Sequence, residues 1–69
     1  MSEEVKILYP NLRAEIARRG LKHYQFAEMV GMSAVVFSSR LTGATEFDVA
    51  EITRICEVLG FSFEYLFKP

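Results

Sequence analysis

The segment QFAEMVGMSAVVFSSRLTG, residues 25–43, decides the fold. Apolar side chains recur at helical spacing on both sides of a short break that consists of Gly31, Met32 and Ser33. Ala27 is small enough for two helices to cross closely beside it. Gly31 can adopt a positive φ, and Met32 is expected to fill the corner between the helices. Two helices joined by a short turn that contains glycine are typical of a helix-turn-helix motif.

Signals on either side of this motif predict three further helices. Pro10 suits the first position of a helix, where its missing N–H costs nothing, and Gly20 suits the residue after the helix end. Asp48 and Glu51 have the spacing of a capping box, and Ser62 can cap a short last helix. We therefore predict an all-α fold, a compact five-helix bundle over residues 9–69. For the N-terminal arm, residues 1–8, a short strand and a disordered segment both stay open.

The two helices of the motif differ at their N-caps. Ser33 carries a hydroxyl that can accept a hydrogen bond from a backbone N–H, whereas Lys22 carries no acceptor. We expect the helix that follows Lys22 to be weakly capped.

Length and composition indicate one small domain. The chain has 69 residues, of which 51% are hydrophobic, enough for a core. Cys56 is the single cysteine, so an internal disulfide is excluded, and the sequence pattern places it on an apolar helix face. The start MSEEVKIL lacks the features of a signal peptide, and no apolar run approaches membrane-spanning length. We expect a cytoplasmic protein without a membrane segment.

The charge is unevenly distributed, although the net charge is only −1. Residues 13–40 contain five Lys or Arg and two Glu, whereas residues 41–69 contain two cations and five acids. The half that carries the helix-turn-helix motif is therefore positive. A dipolar molecule of this kind can bind nucleic acid through one cationic face, with strong sensitivity to salt.

Two stretches of the chain resemble a known family. YPNLRAEIARRGLKHYQFAEMVGMS, followed by FSSRLTGATEFDVAEITRICEVLGFSFEYLF, is similar to the phage repressor and Cro-like helix-turn-helix regulators. The resemblance covers residues 9–67 and includes the SxRLxGxTEF form common in small regulators of phages and mobile elements. It implies a lambda-repressor-like five-helix domain that binds operator DNA, usually as a homodimer, and represses or switches transcription.

The resemblance also implies positions for the DNA contacts, with residues 33–41 as the recognition helix in the major groove. The residues that would face base edges are Ser33, Ala34, Val35, Ser38 and Ser39. The residues that would contact the DNA backbone are Lys22, His23, Tyr24, Arg40, Thr42 and Thr45.

The recognition helix departs from the usual pattern of the family. It carries no Gln, Asn or Arg before Arg40, so bidentate hydrogen bonds to guanine or adenine near its start are excluded. Ala34 and Val35 can instead contact thymine methyl groups. We therefore expect modest specificity with a bias toward A·T-containing sites, helped by the shape of the DNA.

The C-terminal segment is unusually aromatic. Its simplest interpretation is a lid that completes the core, and a second interpretation is a homodimer surface. The residues that would form the dimer surface are Phe61, Phe63, Tyr65 and Phe67.

Functions of other classes have weaker support. Exposed Ala34, Val35 and Val36 would also suit a protein-binding patch, as in an antirepressor or antitoxin-like module that uses this scaffold without binding an operator. An enzyme is disfavoured, because the single His23 has no catalytic partner pattern and no glycine-rich phosphate loop is present. We predict no catalytic residue, no metal site, no cofactor and no small-molecule ligand. For Lys22, Arg18 and Arg19 the simpler interpretation is a solvated face without a ligand, which is the default for a run of charges.

Overall fold

The computed structural model describes residues 7–69, which fold into five α-helices. The helices are α1 (Pro10–Arg18), α2 (His23–Met29), α3 (Ala34–Leu41), α4 (Val49–Leu59) and α5 (Phe63–Leu66). Residues 7–69 contain no strand, so the predicted all-α five-helix architecture is confirmed. Most of the N-terminal arm, residues 1–6, lies outside the described residues, and the choice between strand and disorder stays open.

One hydrophobic core holds the helices together, and every helix contributes to it. The rings of Phe26 in α2 and Phe37 in α3 lie at its centre, with their centroids 5.6 Å apart. Cys56 is half-buried at the edge of this core, as its position on the apolar face of α4 predicts. Burial raises the pKa of the Cys56 thiol, so the group stays protonated and unreactive near neutral pH. The buried apolar side chains are Leu12, Ile16, Phe26, Ala27, Val30, Phe37, Leu41, Ile55, Leu59 and Leu66.

The predicted start signals are confirmed for four helices. Pro10 occupies the first position of α1. Ser33 Oγ accepts from the Val36 N–H at 3.1 Å, and Ser62 Oγ caps α5 in the same way. At α4 the backbone N–H of Glu51 donates to Asp48 Oδ1 at 2.8 Å, and the Glu51 carboxylate accepts from the Asp48 N–H at 3.0 Å.

The start of α2 is different. Lys22 makes no side-chain cap, as expected, but the Lys22 N–H donates to Gln25 Oε1 at 2.8 Å. Gln25 therefore supplies half of a capping box without a partner hydroxyl.

A buried carboxylate ties the first helix to the last. Glu15 is only 4% exposed, and its Oε2 accepts from the Tyr65 hydroxyl at 2.9 Å. Arg18 and Arg19 both pair with the same carboxylate, and Arg19 also donates to the Leu59 carbonyl at 2.9 Å. Arg19 is therefore more than part of a solvated face, because it joins α1 to the end of α4, whereas Arg18 pairs only within α1.

Candidate nucleic-acid interface

The turn between α2 and α3 has a fixed geometry. Gly31 has a φ of 75°, in the left-handed region that favours glycine. The backbone N–H of Met32 donates to the Ala27 carbonyl at 2.9 Å, and the Met32 side chain is half-buried against the core, as the sequence predicts. A side chain at position 31 would meet the guanidinium of Arg54 at 3.3 Å. The turn therefore presents α3 in one orientation.

The outer face of α3 is exposed and mostly apolar. Val35 is 79% exposed, and Ala34 and Ser38 are exposed beside it. Ser33 is also exposed, although its hydroxyl already caps the helix. Four of the five residues predicted to face base edges are thus accessible.

Ser39, the fifth of these residues, is half-buried, and its hydroxyl lies 3.0 Å from Thr45 Oγ1. Ser39 therefore faces the loop after α3 more than it faces outward. Whether any of the five contacts DNA stays a prediction.

Three of the predicted backbone contacts lie together at the start of α2. Lys22, His23 and Tyr24 are all exposed there. The His23 ring meets the edge of the buried Phe37 ring at a centroid distance of 6.1 Å. Burial, and to a smaller extent the charge of Arg13, lower the pKa of His23, so the imidazole is neutral at pH 7. Any contact that His23 makes with a phosphate begins from a neutral ring.

Most of the positive charge of residues 13–40 is engaged by partners within the protein. Arg13 donates to the carbonyls of Leu8 and Leu41, at 2.8 and 3.1 Å. Arg19 is held by the buried Glu15, and Arg40 by Glu51. The cationic surface is therefore smaller than the count of Lys and Arg indicates, because several guanidinium groups bond to partners within the fold. Among the cations at positions 13–40, all of which lie in the described part of the chain, Lys22 is the one whose side-chain ammonium group makes no hydrogen bond or ion pair.

Arg40 connects α3 to α4 and to the loop between them. Its Nε and Nη2 donate to the two oxygens of the Glu51 carboxylate at 2.7 and 3.1 Å. Its Nη1 donates to Thr45 Oγ1 at 2.7 Å. Thr42 and Thr45 are exposed, so both remain accessible for the predicted backbone contacts. No signal in the sequence indicates which acid pairs with Arg40.

The Arg40–Glu51 pair makes stability dependent on acid pH. The hydrogen bond from Arg40 lowers the pKa of Glu51, and the Asp48 N–H acts in the same direction. A carboxyl whose pKa falls on folding stabilises the folded state above its unfolded pKa, and the contribution disappears as the pH falls through the folded pKa.

We expect Glu51→Gln to show a smaller drop in melting temperature than the native chain between about pH 5 and pH 3. Glu57→Gln, which removes an exposed carboxylate from the same helix, is the control. Equal acid sensitivity in the native chain and Glu51→Gln would mean that the Arg40–Glu51 pair does not cause the pH dependence of stability.

The aromatic C-terminal segment divides into exposed and half-buried rings. Phe61 and Phe63 are exposed, and Phe63 stacks on Phe67 with centroids 5.6 Å apart. Tyr65 and Phe67 are half-buried, and the Tyr65 hydroxyl is bonded to Glu15. Two of the four predicted dimerisation residues thus present accessible faces, and dimerisation stays a prediction.

The described residues were also compared with the requirements of a metal site and of a membrane span. Among residues 7–69, no group of three or more His, Cys, Asp or Glu side chains is placed to hold a metal ion. In the same part of the chain, no helix is long and apolar enough to cross a membrane.

Comparisons with known proteins find similarity in structure alone. No protein-family model matches the chain, and no curated protein is similar to it in sequence. One similar solved structure is the P22 c2 repressor protein in complex with a synthetic operator, with a TM-score of 0.76 and 24% identity over 91% of this chain and 96% of that one. Another is a transcriptional regulator from Listeria innocua, with a TM-score of 0.72 and 24% identity over 86% of this chain. The match spans 55% of the Listeria chain, about half its length. The chain therefore has the five-helix fold of the phage repressor-like helix-turn-helix proteins, as its sequence predicts.

Proposed function

We propose that the chain is a sequence-specific, double-stranded DNA-binding transcriptional regulator of the repressor type. The observation that carries this proposal is the presentation of α3, with Val35 79% exposed at the start of a helix that the turn at Gly31 holds in one orientation. An α-helix is about 10–12 Å across, and the major groove of B-DNA is about 12 Å wide. The likeness in fold to a repressor solved on an operator supports the same docking mode.

Base recognition in this proposal is mainly apolar. Ala34 and Val35 contact thymine methyl groups, and Ser38 supplies an exposed hydroxyl that can donate or accept. Ser33 keeps its role as the cap of α3 and lies at the entrance to the groove. This chemistry favours A·T-containing sites and leaves much of the specificity to DNA shape.

Contacts to the DNA backbone position the helix. Lys22, with His23 and Tyr24, meets the phosphates at the start of α2. Thr42 and Thr45 meet the backbone on the other side of α3. Phosphate contacts fix the register and orientation of the protein without distinguishing sequences.

The active form in this proposal is a homodimer in the cytoplasm, which needs no cofactor. Phe61 and Phe63 offer exposed aromatic surface at the end of the molecule that carries α5. A two-fold dimer of such domains would bind a palindromic site with half-sites about one helical turn apart.

A protein-interaction module is the second candidate, because the same exposure of Val35 favours it. An apolar helix face without amide or guanidinium groups also suits a protein partner. The antirepressor or antitoxin-like alternative therefore predicts loss of a protein complex, and no loss of DNA binding, when this face is changed.

Selection of bound duplexes from a random pool, followed by affinity measurements across salt concentrations, tests the proposal. An enriched, near-palindromic motif would support a dimeric operator-binding protein. Weak binding without any enriched motif, abolished at physiological salt, would contradict it and favour the protein-interaction module.

Lys22→Ala gives a sharper test of the docking mode. We expect weaker binding to all duplexes, with the slope of log affinity against log salt reduced by about one unit. Lys68→Ala removes the same charge outside the helix-turn-helix and is the matched control, for which we expect a smaller change in slope. Equal slopes for the two variants would mean that the start of α2 does not face the phosphates.

A further inference from the structure

A chain of polar contacts runs from α4 to the exposed loop after α3. Glu51 in α4 binds the guanidinium of Arg40 through both carboxylate oxygens, and Arg40 Nη1 donates to the Thr45 hydroxyl at 2.7 Å. Thr45 Oγ1 also lies 3.0 Å from Ser39 Oγ. We call these four side chains, Glu51, Arg40, Thr45 and Ser39, the loop relay.

Hydrogen bonds also hold the backbone of the loop that follows α3. The N–H groups of Ala44 and Thr45 both donate to the Ser39 carbonyl, at 3.0 and 3.3 Å. Gly43 has a φ of 87°, and a Cβ at this position would lie 2.7 Å from Leu8 Cδ1. The Thr45 hydroxyl is therefore held at one place on an exposed surface next to the end of α3.

Counting donors and acceptors shows what Thr45 can still offer. A threonine hydroxyl has one hydrogen and two acceptor lone pairs. Arg40 occupies one lone pair, and when Ser39 donates it occupies the other. The Thr45 hydrogen then has no acceptor among the four groups of the relay and is available to an anion outside.

Unlike the Thr45 hydroxyl, the charged group of Arg40 is not free to bind an anion from outside, because Glu51 already binds it. Its guanidinium is half-buried and bidentate on Glu51, so the pair is electrically neutral and already has its strongest partner. A phosphate that bound Arg40 directly would have to compete with this carboxylate, which also accepts from the Asp48 N–H in the capping box of α4.

We propose that Arg40 and Glu51 are positioning residues, which act on a DNA phosphate through the Thr45 hydroxyl. The phosphate oxygen accepts from Thr45, and Arg40 polarises and orients that hydroxyl while Glu51 holds Arg40 in place. This inference rests on the proposed function and replaces the direct contact between Arg40 and the backbone that the family resemblance implies. It gives α4 a part in DNA recognition without contact between α4 and the DNA.

The test compares variants that separate hydrogen bonding from charge. Arg40→Met combined with Glu51→Gln removes the ion pair without changing net charge, and glutamine retains the ability to complete the α4 capping box. Thr45→Val removes the hydroxyl at nearly constant volume, and Thr45→Ser restores it. Thr53→Val removes a hydroxyl that bonds only within α4 and serves as the control. Affinity for the selected duplex is measured across salt, and thermal unfolding confirms that each variant is folded under the binding conditions.

We expect the charge-neutral double variant and Thr45→Val each to weaken binding about three- to tenfold, the usual scale for one hydrogen bond, with an unchanged salt slope. Combining all three changes should weaken binding no further than the double variant does, because they act through one contact. Thr45→Ser and Thr53→Val should bind like the native chain.

A different pattern of affinities would overturn this inference and leave the proposed function in place. If Arg40 contacts a phosphate directly, the double variant will lose about one unit of salt slope, and Thr45→Val will bind like the native chain. Additive losses, or no loss in the double variant, would equally exclude a relay through Thr45. Absence of any duplex bound by the native chain would instead overturn the proposed function, and this inference with it.

Discussion

Phe37→Ala is expected to lower the free energy of unfolding by about 3–5 kcal/mol, the usual cost of deleting a buried phenylalanine ring. Phe37 is fully buried, and its ring contacts those of Phe26, His23 and Phe47 at centroid distances of 5.6, 6.1 and 6.1 Å. A chain of 69 residues has a total stability of only about 3–10 kcal/mol. The variant should therefore lose a large part of its stability, which urea titration followed by circular dichroism will measure as a lower midpoint.

Phe63→Ala is the matched control for this substitution. It deletes the same ring from a position that is 53% exposed, so we expect a cost below about 1.5 kcal/mol. A larger loss for Phe63→Ala than for Phe37→Ala would mean that the core is not centred on the contact between α2 and α3.

Val35→Glu is expected to weaken binding to the selected duplex by about a hundredfold while leaving the fold intact. Val35 is 79% exposed, so a longer polar side chain costs little in the free protein. In the groove, the carboxylate would face phosphates and the acceptor edges of bases, and like-charge contacts in an interface cost several kcal/mol. Competition binding with the native chain as reference measures the ratio directly.

Val49→Glu provides the control for charge alone. Val49 is also 79% exposed, but it lies at the start of α4, outside the helix-turn-helix. Its substitution by Glu changes the net charge by the same amount as Val35→Glu. We expect its affinity to stay within about threefold of the native value, since an exposed charge outside the groove is screened by salt. Equal losses for the two variants would show a general electrostatic effect, and full binding by Val35→Glu would exclude α3 from the groove.

The parts of the fold that depend on local chemistry could be predicted from the sequence. Pro10, Ser33 and Asp48 act at helix starts through atoms within three or four residues, so their spacing is sufficient. Gly31 and Ala27 identify the turn for the same reason. These signals fix the order of the helices and the position of the exposed helix.

The partners of charged groups could not be predicted in the same way. Glu15 meets Tyr65 across 50 positions, and Arg40 meets Glu51 across 11, distances at which sequence spacing carries no information. Arginines counted as a cationic surface are therefore partly engaged in the fold. The apolar character of Ala34 and Val35 is evident in the sequence. Only the three-dimensional arrangement shows that the Ser39 hydroxyl contacts Thr45 in the loop.

The hydrogen bond between Glu15 and Tyr65 also has a consequence for the order of folding. It closes a loop of 50 residues, whereas α2 and α3 are joined by a short turn and can pair with little loss of chain entropy. With four residues, α5 is too short to form a helix by itself in water. We therefore expect its docking onto α1 to be a late step of folding and its release to be an early step of unfolding.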